Sequence, residues 1–563
     1  MSSKPNESST ALVVVLVVCG LGLVLLVIQS AFQWDLFGRG DRFRNEGDRT
    51  PGAPPYPIVP QTRPDDGTLS GHGGLDSGGD AISALINSFV RAFLAAPDAV
   101  PRQATLRFKS DAAYQRFLAE ARARGIDIRG FLDGLRAVSI GFASPDALRD
   151  ALAGFGDDVE RLAPNYQVSV PHIPTPTEAR TEAGDPVGFG ADLLGALGIE
   201  GDNSAYGKGI TVAVLDSGIA EHPAFANTNL TSLVLSGAGA AAGDDDLGHG
   251  TAVTSIIAGE IAEARGVAPR SDLLSYRITN ADGLSDSFLL AEGIMAATDA
   301  GAQIINISLG SESDSSIVAD AVTYAAKKGV LIVAPSGNET GADATFPARY
   351  SGVVSVGGND AGGYQLSFSN SSPTLDLSAP GYQVNAAYPG DRIVAFTGTS
   401  ASAPAVTGAI AAVMSERNLS GTDALALLRL TADEAGAPGI DPAHGYGIIN
   451  VGRALESGRA TVTDAAAVRP FYDPASNQIH FSVENRGTTP LVNVPLNISV
   501  DGRNVSTYFA NIPPNVASFY SFQLTPNAFS SGAPLAVESR VTSGAQTDAR
   551  PANNTARAQI PAP

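Results

Sequence analysis

Hydrophobic and polar positions change their spacing several times along this chain, and each change marks a segment. From Ala11 to Ile28 the run ALVVVLVVCGLGLVLLVI holds 18 positions without a charge. As a helix it would extend about 27 Å, just enough to cross a hydrocarbon core. It reads as either a membrane anchor or a signal segment, so residues 1–36 form an N-terminal unit with a transmembrane helix as its first expectation. Residues 37–102 have little apolar content; TPGAPPYPIVP and SGHGGLDSGGD cannot bury enough surface to offset ordering entropy. A disordered linker is expected there, with a short amphipathic helix at Ala81–Ala95. Over 103–172 the periods alternate strand, helix, strand, strand, helix, strand. Leu106 and Phe108 alternate with polar neighbours, Tyr114, Phe117 and Leu118 follow at helical spacing, and Val138, Ile140 and Phe142 alternate again. That order fits a small ferredoxin-like α+β sandwich.

Over 173–459 the apolar runs ITVAVL, LLSYRI, QIINIS and VLIVA lack polar alternation, as expected of strands covered on both faces. Helical patterns separate them at Ser287–Ala300, Ile317–Lys328 and Ser402–Glu416. Alternating strand and helix predicts an α/β unit on a parallel sheet. From 460 to 563 helical patterns disappear, and QIHFSVEN, LNISVDG and SFYSFQL are punctuated by Gly, Pro and Asn, which predicts a β-sandwich.

Composition narrows the function classes. Charged residues are 17% and the formal net charge is −21, which argues against a nucleic-acid partner. The single cysteine, Cys19, excludes an intramolecular disulfide and a Cys-based zinc site. The six histidines are scattered without a metal-spaced pair, so no metal ligand is assigned. Lys4 precedes the apolar run, and Arg39, Arg42 and Arg44 follow it; on charge alone the bulk of the chain would face the cytoplasm.

Three segments of the α/β region could carry chemistry. VAVLDSGI ends a buried strand on Asp216, where open parallel sheets present residues to a crevice. GHGTAVTSIIAG sets His249 at the start of an apolar helix, and GTSASAPAVTGAIAA sets Ser400 at the start of another. A serine hydroxyl needs a base to take its proton and a carboxylate to orient that base. Imidazole titrates near neutrality and can both accept and return that proton.

The order Asp, His, Ser, in DSG, GHGT and GTSASAP, resembles the subtilisin-like serine proteases. VAPSGNET is similar to that family's oxyanion-loop segment and places its asparagine at Asn338. The resemblance implies a serine endopeptidase with Asp216, His249 and Ser400 as catalytic residues and Asn338 beside the Ser400 N–H in the oxyanion hole. It implies that 103–172 is an inhibitory propeptide, cut by the enzyme itself in the tether after Val170, and that 173–459 is the catalytic domain. Residues 460–563 resemble cell-adhesion-related bacterial Ig-like sandwich domains. By the same analogy Ser308, Leu309 and Gly310, in NISLG, and Pro335, Ser336 and Gly337 would flank an extended substrate peptide as edge strands.

Implied partners are a peptide or protein substrate, the chain's own propeptide, and a membrane through the N-terminal helix. Catalysis of this kind requires no cofactor. A structural calcium is not supported, because HPAF carries Ala224 where several relatives place an acidic ligand, and Asp244–Asp246 reads as a solvated loop. Ala252 stands where many members carry a second histidine, and Ala401 where many carry methionine; neither position is catalytic. Propeptide-equipped members usually act outside the cytoplasm, so the expected location is the cell envelope, membrane-anchored, or secretion. Two alternatives stay open: a narrow-specificity processing protease, and a non-catalytic binding or adhesion protein on a protease fold.

Overall fold

A computed structural model describes residues 77–239, 243–458, 461–530 and 532–562. The apolar run Ala11–Ile28, with the anchor or signal expected there, lies outside the described residues. Among the described residues no helix is long and apolar enough to cross a membrane.

The first described element is a helix, Ser77–Ala95, followed by a strand, Ala99–Phe108. The helix contains the one expected at Ala81–Ala95, and the strand begins at Ala99, so structure starts before residue 103, within the stretch expected as linker. The physical reason is a short apolar stripe: Ile82, Ile86 and Phe89 recur at helical spacing and are buried in the same core as Leu106, Phe108, Tyr114, Phe117 and Ile140. The helix Asp111–Arg124 is capped by the Ser110 hydroxyl at its start and ends on Gly125 at φ 67°. Strands Ala99–Phe108, Asp127–Leu132, Ala137–Gly141 and Val159–Ser169 pair antiparallel, with Ala99–Phe108 and Ala137–Gly141 at the centre.

The second face of this small sheet is also covered. Leu132, Leu135, Ala137 and Val168 share a core with Phe288, Ile294, Met295 and Val318 of the α/β unit. Contact is close: a Cβ on Gly130 would stand 2.8 Å from the Phe288 ring, and one on Gly134 2.7 Å from the Met295 methyl. Polar contacts border it. Arg107 and Arg161 both reach Asp320 Oδ2, at 2.6 and 3.1 Å. Buried Asn165 accepts from the Ser287 hydroxyl (2.8 Å) and the Phe288 N–H (3.0 Å). It thereby helps cap the helix Ser287–Asp299, which Asp286 caps from its own chain end.

The α/β unit is built on seven parallel strands. In spatial order they are Leu377–Pro380, Val353–Asn359, Leu331–Pro335, Ile304–Ile307, Thr211–Asp216, Asp272–Arg277 and Leu230–Val234. The four strands expected from apolar runs all lie in this sheet. The chain order reverses beside Thr211–Asp216, so the carboxyl end of that strand opens at a switch point. The helix Thr399–Arg417 is buried from Thr399 through Met414 and sits within the main core.

After residue 461 the chain forms two antiparallel sheets, each of four strands, around Ile479, Phe481, Val494, Leu496, Ile498 and Val537. A buried ionic cluster joins them to the α/β unit. Arg453 donates to Asp433 (2.7 Å) and Glu484 (2.5 Å), and Arg486 lies 3.1 Å from Asp433 and 3.0 Å from Glu484. Burial opposes ionisation of Asp433, but the Arg486 and Arg453 charges hold it below the usual carboxylate range.

Glu434, beside this cluster, behaves oppositely: burial pushes its carboxyl up to about 7, with Glu484 and Asp441 adding repulsion. An acid with a raised folded-state value binds its proton more tightly folded than unfolded. Stability is therefore full below the ordinary carboxylate range and is lost as pH rises toward 7. Glu434→Gln keeps an oxygen for the Gly439 N–H. It is expected to stabilise the chain by roughly 2–3 kcal/mol at pH 8 and by little at pH 4, read as melting temperature against pH.

Candidate active site

Asp216 ends its strand at the switch point and is 1% exposed. Its Oδ1 accepts from the Ser217 N–H at 2.7 Å and from His249 Nδ1 at 2.8 Å. A carboxylate on Nδ1 leaves Nε2 of the neutral ring free to act as base. His249 lies at the start of the helix Gly248–Ala258, and local glycines set how closely that helix approaches the strand end. The Gly250 N–H donates to the Ser217 hydroxyl at 3.0 Å, and a Cβ on Gly250 would stand 2.2 Å from the Gly218 carbonyl oxygen. DSG and GHG are thus two sides of one contact.

Ser400 is 3% exposed in the first turn of its helix. Its N–H, in that turn, has no acceptor within the helix, and its Oγ makes no hydrogen bond. Phe396, four residues earlier, meets the His249 ring edge-on with centroids 5.4 Å apart. Asn338 completes the group. Its Oδ1 accepts from the Thr399 N–H (3.0 Å) and hydroxyl (2.8 Å), which aims its amide nitrogen outward. Gly398, at φ 137°, makes room: a Cβ there would stand 3.1 Å from Asn338 Nδ2.

That amide nitrogen is occupied by the chain itself. Asn338 Nδ2 donates to the His172 carbonyl at 3.1 Å. The segment leading to His172 is extended and paired on both sides. Ser169 exchanges two 3.0 Å hydrogen bonds with Gly310. On the other side Gln167–Ser169 pairs with Leu284–Asp286, and the Val170 N–H donates to the Gly283 carbonyl at 3.0 Å.

The flank expected at Ser308–Gly310 therefore pairs through Gly310, while Ser308 and Leu309 are buried. The flank expected at Pro335–Gly337 does not pair with this segment. Pro335 belongs to the parallel sheet, and the Ser336 N–H donates to Val356 while its carbonyl accepts from Thr345. Gly337 instead lines a cavity of about 370 Å³ beside the segment, with Gly310, Glu339 and Thr345. The partner strand is Leu284–Asp286, which the pattern of residues does not announce. Its one signal is the turn residue Gly283 at φ 71° after Asn280.

The possible cation positions are otherwise engaged. His222 Nδ1 accepts from the Ala224 N–H, and Asp245 pairs with Arg392. Among the described residues no cluster of three or more His, Cys, Asp or Glu side chains could hold a metal.

Comparison with known proteins shows the family. The subtilase family profile matches residues 207–447. A thermostable alkaline protease from Halalkalibacterium halodurans is 38% identical over 255 residues, 45% of this chain and 69% of the relative. Subtilisin BL from Lederbergia lenta is 36% identical over 43% of this chain and 90% of its own length. The chain belongs to the subtilase family. This subtilase is a serine endopeptidase. Fervidolysin from Fervidobacterium pennivorans, a keratinolytic enzyme related to subtilisin, shares its fold at a TM-score of 0.53 and 22% identity, covering 79% of this chain and 71% of that one.

Proposed function

We propose that this subtilase hydrolyses peptide bonds through Asp216, His249 and Ser400, and that it is made as a zymogen that cuts its own chain. Ser400 Oγ attacks the carbonyl carbon as His249 Nε2 takes its proton. Asp216 holds the ring through Nδ1 and stabilises the imidazolium. Charge developing on the carbonyl oxygen meets Asn338 Nδ2 and the Ser400 N–H. His249 then returns the proton to the departing amine, and water releases the acyl group by the same steps in reverse. No cofactor enters these steps.

One observation supports the zymogen reading above the others: the His172 carbonyl sits on Asn338 Nδ2, where a reacting carbonyl would be held. The bond so presented is His172–Ile173. Residues 77–172 then serve as propeptide, docked on the α/β unit through the Phe288 and Met295 face and the Asp320 ion pairs. An anchor or signal in the apolar run Ala11–Ile28 would deliver the catalytic unit outside the cytoplasm. The sandwich, joined through Arg453 and Glu484, travels with it.

Incubation of the purified chain tests this reading. A fragment beginning at Ile173 is expected by N-terminal sequencing, and none from Ser400→Ala. A stable full-length chain, identical in both, would contradict it. Asn338→Leu is expected to lower kcat by about 10²–10³ with little change in KM; a loss under threefold in steady-state assays would remove Asn338 from the oxyanion hole.

A further inference from the structure

The chain is held tightly on the far side of the His172–Ile173 bond, by residues that the triad and oxyanion hole do not use. Three residues past that bond the backbone turns at Thr175–Glu178. Glu178 Oε2 accepts from both the Thr175 N–H and the Thr175 hydroxyl, each at 2.8 Å. The Glu178 and Ala179 N–H groups return to the Thr175 carbonyl at 3.0 Å. The turn is pinned to the α/β unit. The Ser367 hydroxyl donates to the Glu178 carbonyl and the Ser367 N–H to the Arg180 carbonyl, both at 2.7 Å. Ala179 is fully buried against Leu366, Phe368 and Tyr382.

The same carboxylate reaches back across the bond: Glu178 Oε1 lies 3.7 Å from His172 Nε2. Between the carbonyl held by Asn338 and the turn held by Glu178 only Ile173 and Pro174 are unconstrained by these bonds. Pro174 has its own neighbour, since a Cβ on Gly398 would stand 3.7 Å from its Cδ. A bond fixed at both ends loses little further freedom on reaching the attack geometry, and orientation of this kind accelerates a reaction.

We propose that Glu178 is a positioning residue for self-cleavage: its carboxylate closes the Thr175–Glu178 turn and so fixes the leaving-group side of the His172–Ile173 bond against Ser400. This rests on the zymogen reading above. The step it assists breaks the His172 C–Ile173 N bond and forms the Ser400 ester. The proton from Ser400 passes through His249 to the Ile173 amine, and one water then releases the His172 carboxylate.

The test measures the first-order rate at which the full chain is cut at His172–Ile173, at a concentration low enough that the rate does not depend on it. Glu178→Ala is expected to slow the cut about fivefold, the scale of one lost capping contact. Thr175→Val, which removes one of the two donors, should slow it less. Glu178→Gln keeps an oxygen for both Thr175 donors and is expected to recover most of the rate, a rescue that a general loss of stability would not give. Melting temperatures measured in a Ser400→Ala background, where no cutting occurs, separate folding from positioning. Glu178→Ala cutting at the wild-type rate would overturn the assignment, as would Glu178→Gln failing as badly as alanine. Absence of the cut in the wild-type chain would overturn the zymogen reading along with it.

Discussion

Ser400→Ala is expected to abolish peptide hydrolysis, with a loss in kcat on the order of 10⁶, the size measured in a subtilisin and carried over to this relative. The residue is buried with its hydroxyl unpaired, so removing one oxygen leaves no partner unsatisfied and the fold intact. The variant should retain the wild-type zymogen's melting temperature while staying uncut at His172–Ile173. A rate measured on a fluorogenic peptide within tenfold of wild type would show that another group performs the attack.

Asp216→Asn is expected to cost about 10⁴ in kcat. The side chain is almost isosteric, so the strand end should hold its shape; Oδ1 serves both the Ser217 N–H and His249 Nδ1, so an amide nitrogen turned toward the ring gives up the Ser217 contact. What changes is the donor presented to His249. An amide N–H facing Nδ1 favours the tautomer with its proton on Nε2, and that nitrogen can then no longer take the serine proton. The loss should appear in kcat rather than KM, and in the rate of self-cleavage. Less than a tenfold loss would mean that Asp216 does not orient the base.

The sequence is most readable where backbone contact is tightest. DSG, GHG and GTS each carry a glycine at a place where a Cβ would crowd its neighbours, as Gly250 would the Gly218 carbonyl. Close approach leaves few residue choices, so these segments stand out without any knowledge of the fold. Buried parallel strands are equally legible, because ITVAVL and VLIVA are covered on both faces and carry no polar alternation.

Less is legible where one segment depends on another far away. The helix at Ala81–Ala95 is legible, but its place in a folded unit is not, and the start of Ala99–Phe108 reads as linker, since Ile82, Ile86 and Phe89 make a stripe too sparse to announce a core. Their burial comes from a sheet supplied by later residues. The second face of that sheet and the turn beside it carry Gly130, Gly134 and Ala137, small residues that look ordinary until Phe288 and Met295 are set against them. Leu284–Asp286 draws no expectation from its own pattern and becomes a strand by pairing with Gln167–Ser169. The Arg453–Glu484 contact joins residues whose local patterns say nothing of each other.

Peptide hydrolysis by this chain requires four side chains from separate segments to act as one site. Reaction of the processed enzyme with a serine-directed phosphonate, followed by peptide mapping, addresses that most directly. The expected result is a single adduct on Ser400, lost in Ser400→Ala and strongly slowed in His249→Ala. An adduct on a different serine, or labelling of Ser400 that proceeds equally well without His249, would contradict it.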